Sequence, residues 1–152
     1  MLNNEMIEER SAGAVIFNED DGVPNFLLLN YPEGHWDFPK GNIEKGELLL
    51  DTVRREISEE TGINNIEILP IFKKNVVYYY RRNTGIVHKE VIYFLARALT
   101  LDVTLSHEHK NYLWLDLENA LKKVTYKNSK NTLKAASKFL DEAPIHRDEL
   151  VP

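Results

Sequence analysis

The segment from Leu48 to Thr61, "LLLDTVRREISEET", sets the strongest constraint on what this chain can become. Leu49, Leu50, Val53 and Ile57 recur at three- and four-residue spacing, which is the period of one helix face, and Gly62 follows as a C-terminal stop. Successive helical residues turn by about 100°, so Glu56, Glu59 and Glu60 project from one side while the apolar stripe points elsewhere. Like charges at that spacing each cost a few tenths of a kcal/mol, roughly, and Arg54 and Arg55 offset only part of this. The helix therefore needs a surface to receive its stripe and a cation to face its carboxylates.

The rest of the chain supplies the surface. "SAGAVIF" and "NFLLLN" are β-favouring runs separated by "NEDDGVP", whose Asp21-Gly22 pair and Pro24 predict the turn of a hairpin. "YPEGHWDFPKGNIEKGE" has no helical period and reads as a loop, long enough to be functional. "IEILPIFKKNVVYYY" and "KEVIYFLARAL" are rich in β-branched and aromatic residues and predict a second hairpin, with "RRNTGIVH" as its turn. "NYLWLDL" suits a short strand, and Leu133, Ala136, Phe139 and Leu140 give Asn128 to Leu140 a helical period. The reading is a single domain over residues 1–152, with a core at about 8–141 and a tail from 142 to 152. Because strands and helices mix without strict βαβ alternation, a mixed sheet packed by a few helices is expected.

Composition removes several function classes. No segment approaches the roughly 20 apolar residues of a membrane span, so no membrane role is expected. The opening "MLNNEMIEER" lacks the basic-then-apolar layout of a secretory signal. The chain has no cysteine, which removes disulfides, thiolate metal sites and cysteine nucleophiles and points to a reducing cytoplasm. "HRDEL" near the end is followed by Val151 and Pro152, so it is not a retention signal. A net charge of −5 argues against non-specific binding to nucleic acid.

Carboxylates without cysteine or histidine suit a hard ion, and Mg²⁺ in particular shares its positions among carboxylates, water and phosphates, with Mn²⁺ as its substitute. Gly41, Glu47, Arg55, Glu56, Ile57, Glu59, Glu60, Gly62 and Ile63 follow a fixed pattern: Gly, five residues, Glu, seven residues, then Arg-Glu-apolar-x-Glu-Glu-x-Gly-apolar. At average residue usage a chance match in so short a chain is on the order of one in a million or less. This pattern, spanning residues 41–63, resembles the box of the Nudix hydrolases. The resemblance implies an α/β/α sandwich with a mixed sheet, a loop-helix-loop carrying the box, and metal-dependent hydrolysis of a nucleoside diphosphate linked to another group. It implies metal ligation by Glu56, Glu59, Glu60 and the Gly41 carbonyl, with Glu56 beside Arg55 as the first candidate base and Glu108 as the second, also an added ligand. Glu47 is expected to contact Arg55 and hold the loop to the helix.

"GHWDFPKG", "FKKNVVYYY" and "LSHEHKNYLWL" are together similar to the asymmetrical diadenosine tetraphosphate hydrolases, which yield ATP and AMP. That likeness implies a small nucleotide substrate, met by Lys40 at a phosphate, by Tyr78 stacked on adenine and by Tyr93 as a second ring, with His35 and Lys73 as further contacts. Tyr79 and Tyr80 lie on opposite strand faces and cannot both join Tyr78. In an extended "SHEH" segment His107 and His109 share a side and Glu108 faces away, and no third histidine completes a zinc site. Within the same family an RNA 5′ pyrophosphohydrolase is the rival, its loop also reading like "GHWDFPKG". A non-catalytic binding module is the other, opposed by the intact glutamates.

Overall fold

The computed structural model describes residues 6–20 and 22–142. Strands β1 (Ile7–Asn18), β2 (Asn25–Asn30), β3 (Trp36–Asp37) and β4 (Lys40–Asn42) precede helix α1 (Leu49–Thr61). They are followed by β5 (Ile66–Arg82), β6 (Gly85–Ala98), β7 (Asn111–Leu115), α2 (Leu117–Lys123) and α3 (Lys127–Glu142). The sheet runs β3-β2-β1-β6-β5, with β4 also on β1 and β7 also on β2. β1 and β6 are parallel, from Ile7 opposite Val87 to Phe17 opposite Arg97, and every other pair is antiparallel. The expected mixed sheet is thus present.

Strand periodicity divides the core between two faces. Ala12, Ala14 and Ile16 of β1 pack with Leu27, Leu29, Phe94 and Ala96 beneath Val53 and Ile57 of α1. Val15 and Phe17 pack on the opposite face with Phe26, Leu28, Val91 and Leu95, beneath Ala120 of α2 and Leu133 and Ala136 of α3. β1 is buried on both sides, so its run from Ser11 to Asn18 is buried throughout rather than alternating. The stripe read on α1 is the one that buries: Val53 and Ile57 are fully covered, each contributing about 1.5–3 kcal/mol. The helix ends where Gly62 turns left-handed at φ 71° and its N–H bonds Ser58 O.

Both hairpins form, but the second closes more tightly than read from sequence. β5 and β6 pair out to Arg82 opposite Gly85, leaving only Asn83 and Thr84 between them. The "YPEGHWDFPKGNIEKGE" loop contains two short strands, β3 and β4, because β1 and β2 each offer it an unpaired edge. α2 was not read from sequence: its seven residues give too little period to register. α3 continues to Glu142, past the expected Leu140, and the tail beyond lies outside the described residues. No helix among the described residues is long and apolar enough to cross a membrane.

Since Ile57 clamps α1 to the sheet, Ile57→Ala is expected to lower stability by about 2–5 kcal/mol through the cavity it leaves. A urea titration should show a lower midpoint at unchanged slope.

Candidate active site

Arg55 organises the C-terminal edge of the loop-helix unit. Its Nε and Nη2 donate to Glu47 Oε2 and Oε1 at 2.7 and 2.9 Å, a two-pronged pair linking loop to helix as the sequence suggested. Nη2 also donates to Asn42 O at 2.9 Å, and Nη1 reaches Glu56 at 2.7 Å and Glu59 at 3.3 Å. The guanidinium first, then the Glu44 N–H, hold the Glu47 carboxyl down at about 2. Arg55, expected at the catalytic centre beside Glu56, lines neither cleft and reaches the acidic one through its bonds to Glu56 and Glu59. On the other side Glu56 abuts Gly41, so closely that a Cβ on Gly41 would fall inside its carboxyl group. The glycine is required there because the carboxylate occupies its side-chain space.

Glu56, Glu59 and Glu60 line a cleft of about 410 Å³ with Ser106, His107 and Glu108. Glu108 therefore joins the helix carboxylates, as the resemblance implied. The extended reading of "SHEH" fails: His109 N–H bonds Ser106 O at 3.1 Å, closing a turn that puts His107 and Glu108 on the cleft and sends His109 inward. His109 is buried, with Nδ1 3.0 Å from Ser106 Oγ and its ring edge-on to Tyr31. Burial, then Glu56, push the Glu60 carboxyl up to about 9, against the pull of Lys40. Burial likewise lowers His109. They approach to 3.4 Å, burial disfavouring the charged form of each, and among the described residues Glu60 Oε2 and His109 Nε2 have no hydrogen-bond partner.

A second cleft, of about 800 Å³, opens on the α3 side of the sheet. Tyr78 and Tyr80 form one wall with ring centres 6.2 Å apart, while Tyr79 turns to the opposite face against His88. The opposite side carries Tyr31 stacked on His35 at 4.7 Å, and Tyr126 lies 5.3 Å from the His35 ring. Tyr80 is braced by its hydroxyl on Glu9 and by Arg82, which bonds Glu9 at 2.7 Å. Lys40 and Lys89 supply positive charge, Lys89 holding Asn42 Oδ1 at 3.0 Å.

Of the residues expected to meet substrate, Lys40, Tyr78 and His35 come together here. Tyr93 differs from the reading: it is 3% exposed and edge-on to Phe38, so it is floor rather than a stacking ring. Lys73 also differs, since a bulge between Leu69 and Lys74 turns it to the α1 face, with its ammonium over Phe94. Tyr31, Asp37, Lys89 and Tyr126 were missed, being separated in sequence and carried by no period; Tyr80 was findable from its two-residue spacing to Tyr78.

A NUDIX domain profile matches residues 8–136. This chain belongs to the NUDIX hydrolase family. It is similar to the bis(5′-nucleosyl)-tetraphosphatase (asymmetrical) of Mus musculus, 36% identical over 89% of this chain and 97% of that protein. Among solved structures a Caenorhabditis elegans Ap4A hydrolase binary complex matches with a TM-score of 0.78 and 34% identity, over 88% of this chain and 98% of that one. An RNA pyrophosphohydrolase of Pelagibacter ubique is 29% identical over 70% of this chain and 75% of that protein.

Family membership implies a divalent cation, and the residues of this NUDIX domain fit one. Glu60 Oε2 is buried and unpartnered, its carboxyl resists ionising without positive charge beside it, and the donors around the cleft are hard oxygens. Among the described residues no three His, Asp or Glu side chains stand close enough to share an ion as placed; Arg55 holds Glu56 and Glu59 instead.

Gly41→Ala is expected to displace Glu56 and lower hydrolysis by about tenfold or more while thermal unfolding shifts little, since the carboxylate and not the backbone must yield. Glu47 provides a pH test. A carboxyl depressed from 4.5 to about 2 stabilises the fold fully above its unfolded value and ceases to as pH falls through the folded one. The stability gap between the native chain and Glu47→Gln should therefore be constant above about pH 5 and close towards about pH 2, read from urea midpoints.

Proposed function

We propose that this NUDIX hydrolase cleaves diadenosine tetraphosphate and related dinucleoside polyphosphates to a nucleoside triphosphate and a monophosphate, ATP and AMP for the adenine compound. The observation that carries the reading is the adjacency of the two clefts across Lys40. Lys40 lines the aromatic cleft, with its ammonium 5.3 Å from the Tyr31 ring centre, and its charge also acts on Glu60 in the acidic one. A substrate that fits must carry a flat base at one end and a phosphate chain at the other. The likeness to proteins named for that substrate supports the choice.

Glu56, Glu59, Glu60 and Glu108 would hold Mg²⁺, or Mn²⁺ in its place, with the Gly41 carbonyl beside them. Bound there, the ion supplies charge neutralisation to phosphate oxygens and acidifies a water. The chain's own groups do the rest. Tyr78 stacks on the base, His35 bounds the same cleft, and Lys40 sets a point charge against a phosphate oxygen. Glu56 accepts the proton of the attacking water: burial raises its carboxyl, opposed by Arg55, which moves it towards the range a general base needs. The water oxygen bonds phosphorus, the bridging P–O bond breaks, and its electron pair leaves with the departing nucleotide. Glu108 is the second candidate for base.

An RNA 5′ pyrophosphohydrolase is the alternative, supported by the Pelagibacter relative and by exposed Lys127, Lys134 and Lys138 along α3, the first at the mouth of the cleft. A panel with Mg²⁺ separates the readings: diadenosine tetraphosphate, 5′-triphosphorylated RNA, ADP-ribose and oxidised nucleoside triphosphates. ATP plus AMP from the first is the expected dominant product, reduced roughly 100-fold or more by Glu60→Gln. Preferential pyrophosphate release from RNA would overturn the proposal.

A further inference from the structure

Asp37 is a carboxylate in an unusual place. It is 5% exposed, yet it lines the aromatic cleft among Tyr31, Tyr78 and Tyr93. A carboxylate withdrawn from water needs its lone pairs met, and only one of its oxygens has them met by the protein. Oδ1 accepts from the Phe38 N–H at 2.9 Å and from Ser129 Oγ at 2.9 Å. These two donors come from the chain beyond β3 and from the first turn of α3, so they fix the carboxyl group from both sides. Among the described residues no hydrogen-bond donor reaches Oδ2. It is the open acceptor of a residue that lines the cleft.

We infer that Asp37 determines base specificity: Oδ2 receives the exocyclic amino group of a base held against Tyr78, selecting adenine over bases that present a carbonyl or no donor at that edge. Three properties of the site lead there. Oδ1 already takes two donors, so the carboxylate offers one acceptor and not the pair that would grip the adjacent N–H groups of guanine. A carbonyl edge would set two acceptors facing each other in a low-dielectric cleft. Its setting is rigid, since Asp37 also pairs with Leu29 in the sheet, so it cannot swing aside to accept another base. Lys40 lies on the same cleft but extends from β4 beside Gly41, leaving the phosphate chain and the base edge to separate charges.

The inference rests on the dinucleotide reading, and the experiment keeps the two apart. Tetraphosphate dinucleotides of adenine, hypoxanthine and unsubstituted purine would be compared with the native chain and with Asp37→Asn. In parallel, AMP, IMP and 2′-deoxy-AMP binding would be followed by isothermal titration calorimetry. The native chain should favour adenine over purine and over hypoxanthine by about tenfold or more in kcat/KM, as loss of a hydrogen bond to a charged partner dictates. Asp37→Asn keeps the shape but presents an N–H₂ donor, so its adenine-to-hypoxanthine ratio should fall by about tenfold or reverse. A purely structural Asp37 would lower all rates together and leave that ratio unmoved, which would overturn the inference. Equal treatment of adenine and purine by the native chain would overturn it without any variant. Discrimination only against 2′-deoxy-AMP would overturn it too, assigning Oδ2 to the sugar. Tighter binding of AMP than IMP with no hydrolysis of any dinucleotide would sustain the role of Asp37 while refuting the proposed activity. Failure to bind either nucleotide would refute both.

Discussion

The Arg55 guanidinium is the interaction on which the site depends. It spends one edge on both oxygens of Glu47, adds the Asn42 carbonyl, and uses its remaining nitrogen on Glu56 and Glu59. Loop, strand β4 and helix α1 are thus joined through one planar group whose charge is never lost, and lysine could not imitate its fork. The consequence is chemical as much as structural. Three glutamates on one helix side would repel each other in isolation; Arg55 between Glu56 and Glu59 offsets part of this, while burial raises the carboxyls of both Glu56 and Glu60.

Glu60 shows why the acidic cleft is poised rather than simply negative. Its neighbours withdraw water and offer another carboxylate, so the charged form is disfavoured until positive charge arrives. Burial also disfavours the charged form of His109 beside it. Lys40 supplies part of that positive charge, and it is held by β4 at the boundary with the aromatic cleft. The two clefts are coupled by the same short strand, which pairs with β1 at Ser11, Ala12 and Gly13. A displacement of β4 would alter the acidic and the aromatic cleft together.

The aromatic cleft follows a different principle. Its rings come from β5, from the turns around Tyr31 and His35, and from the segment between α2 and α3. Two of the rings are anchored by polar contacts: Tyr31 donates to Phe38 O at 2.7 Å, and Tyr80 rests on Glu9. Lys123 lies over Trp36 and packs the α2 end against the same corner. Such anchoring fixes these two rings in advance, which lowers the entropy cost of any binding against them.

Local chemistry written in consecutive residues was legible from sequence alone. The apolar stripe of α1, its Gly62 terminus, the Glu47–Arg55 tie, the first hairpin and the acidic side of the helix all arise within short segments, where period and spacing carry the geometry. What the sequence could not determine was whatever depended on residues meeting from afar or on a local break in period. The bulge in β5 reversed the side of Lys73, and the turn at Ser106 brought His107 to the side of Glu108 and parted it from His109, since extra residues or one hydrogen bond can flip a strand's faces. Tyr93 stacks on nothing exposed because β6 is covered by α3's side of the core, a fact of packing. Tertiary structure alone brought Asp37 to Ser129 and Tyr31 to Tyr78, because only the folded sheet sets their separate segments around one space.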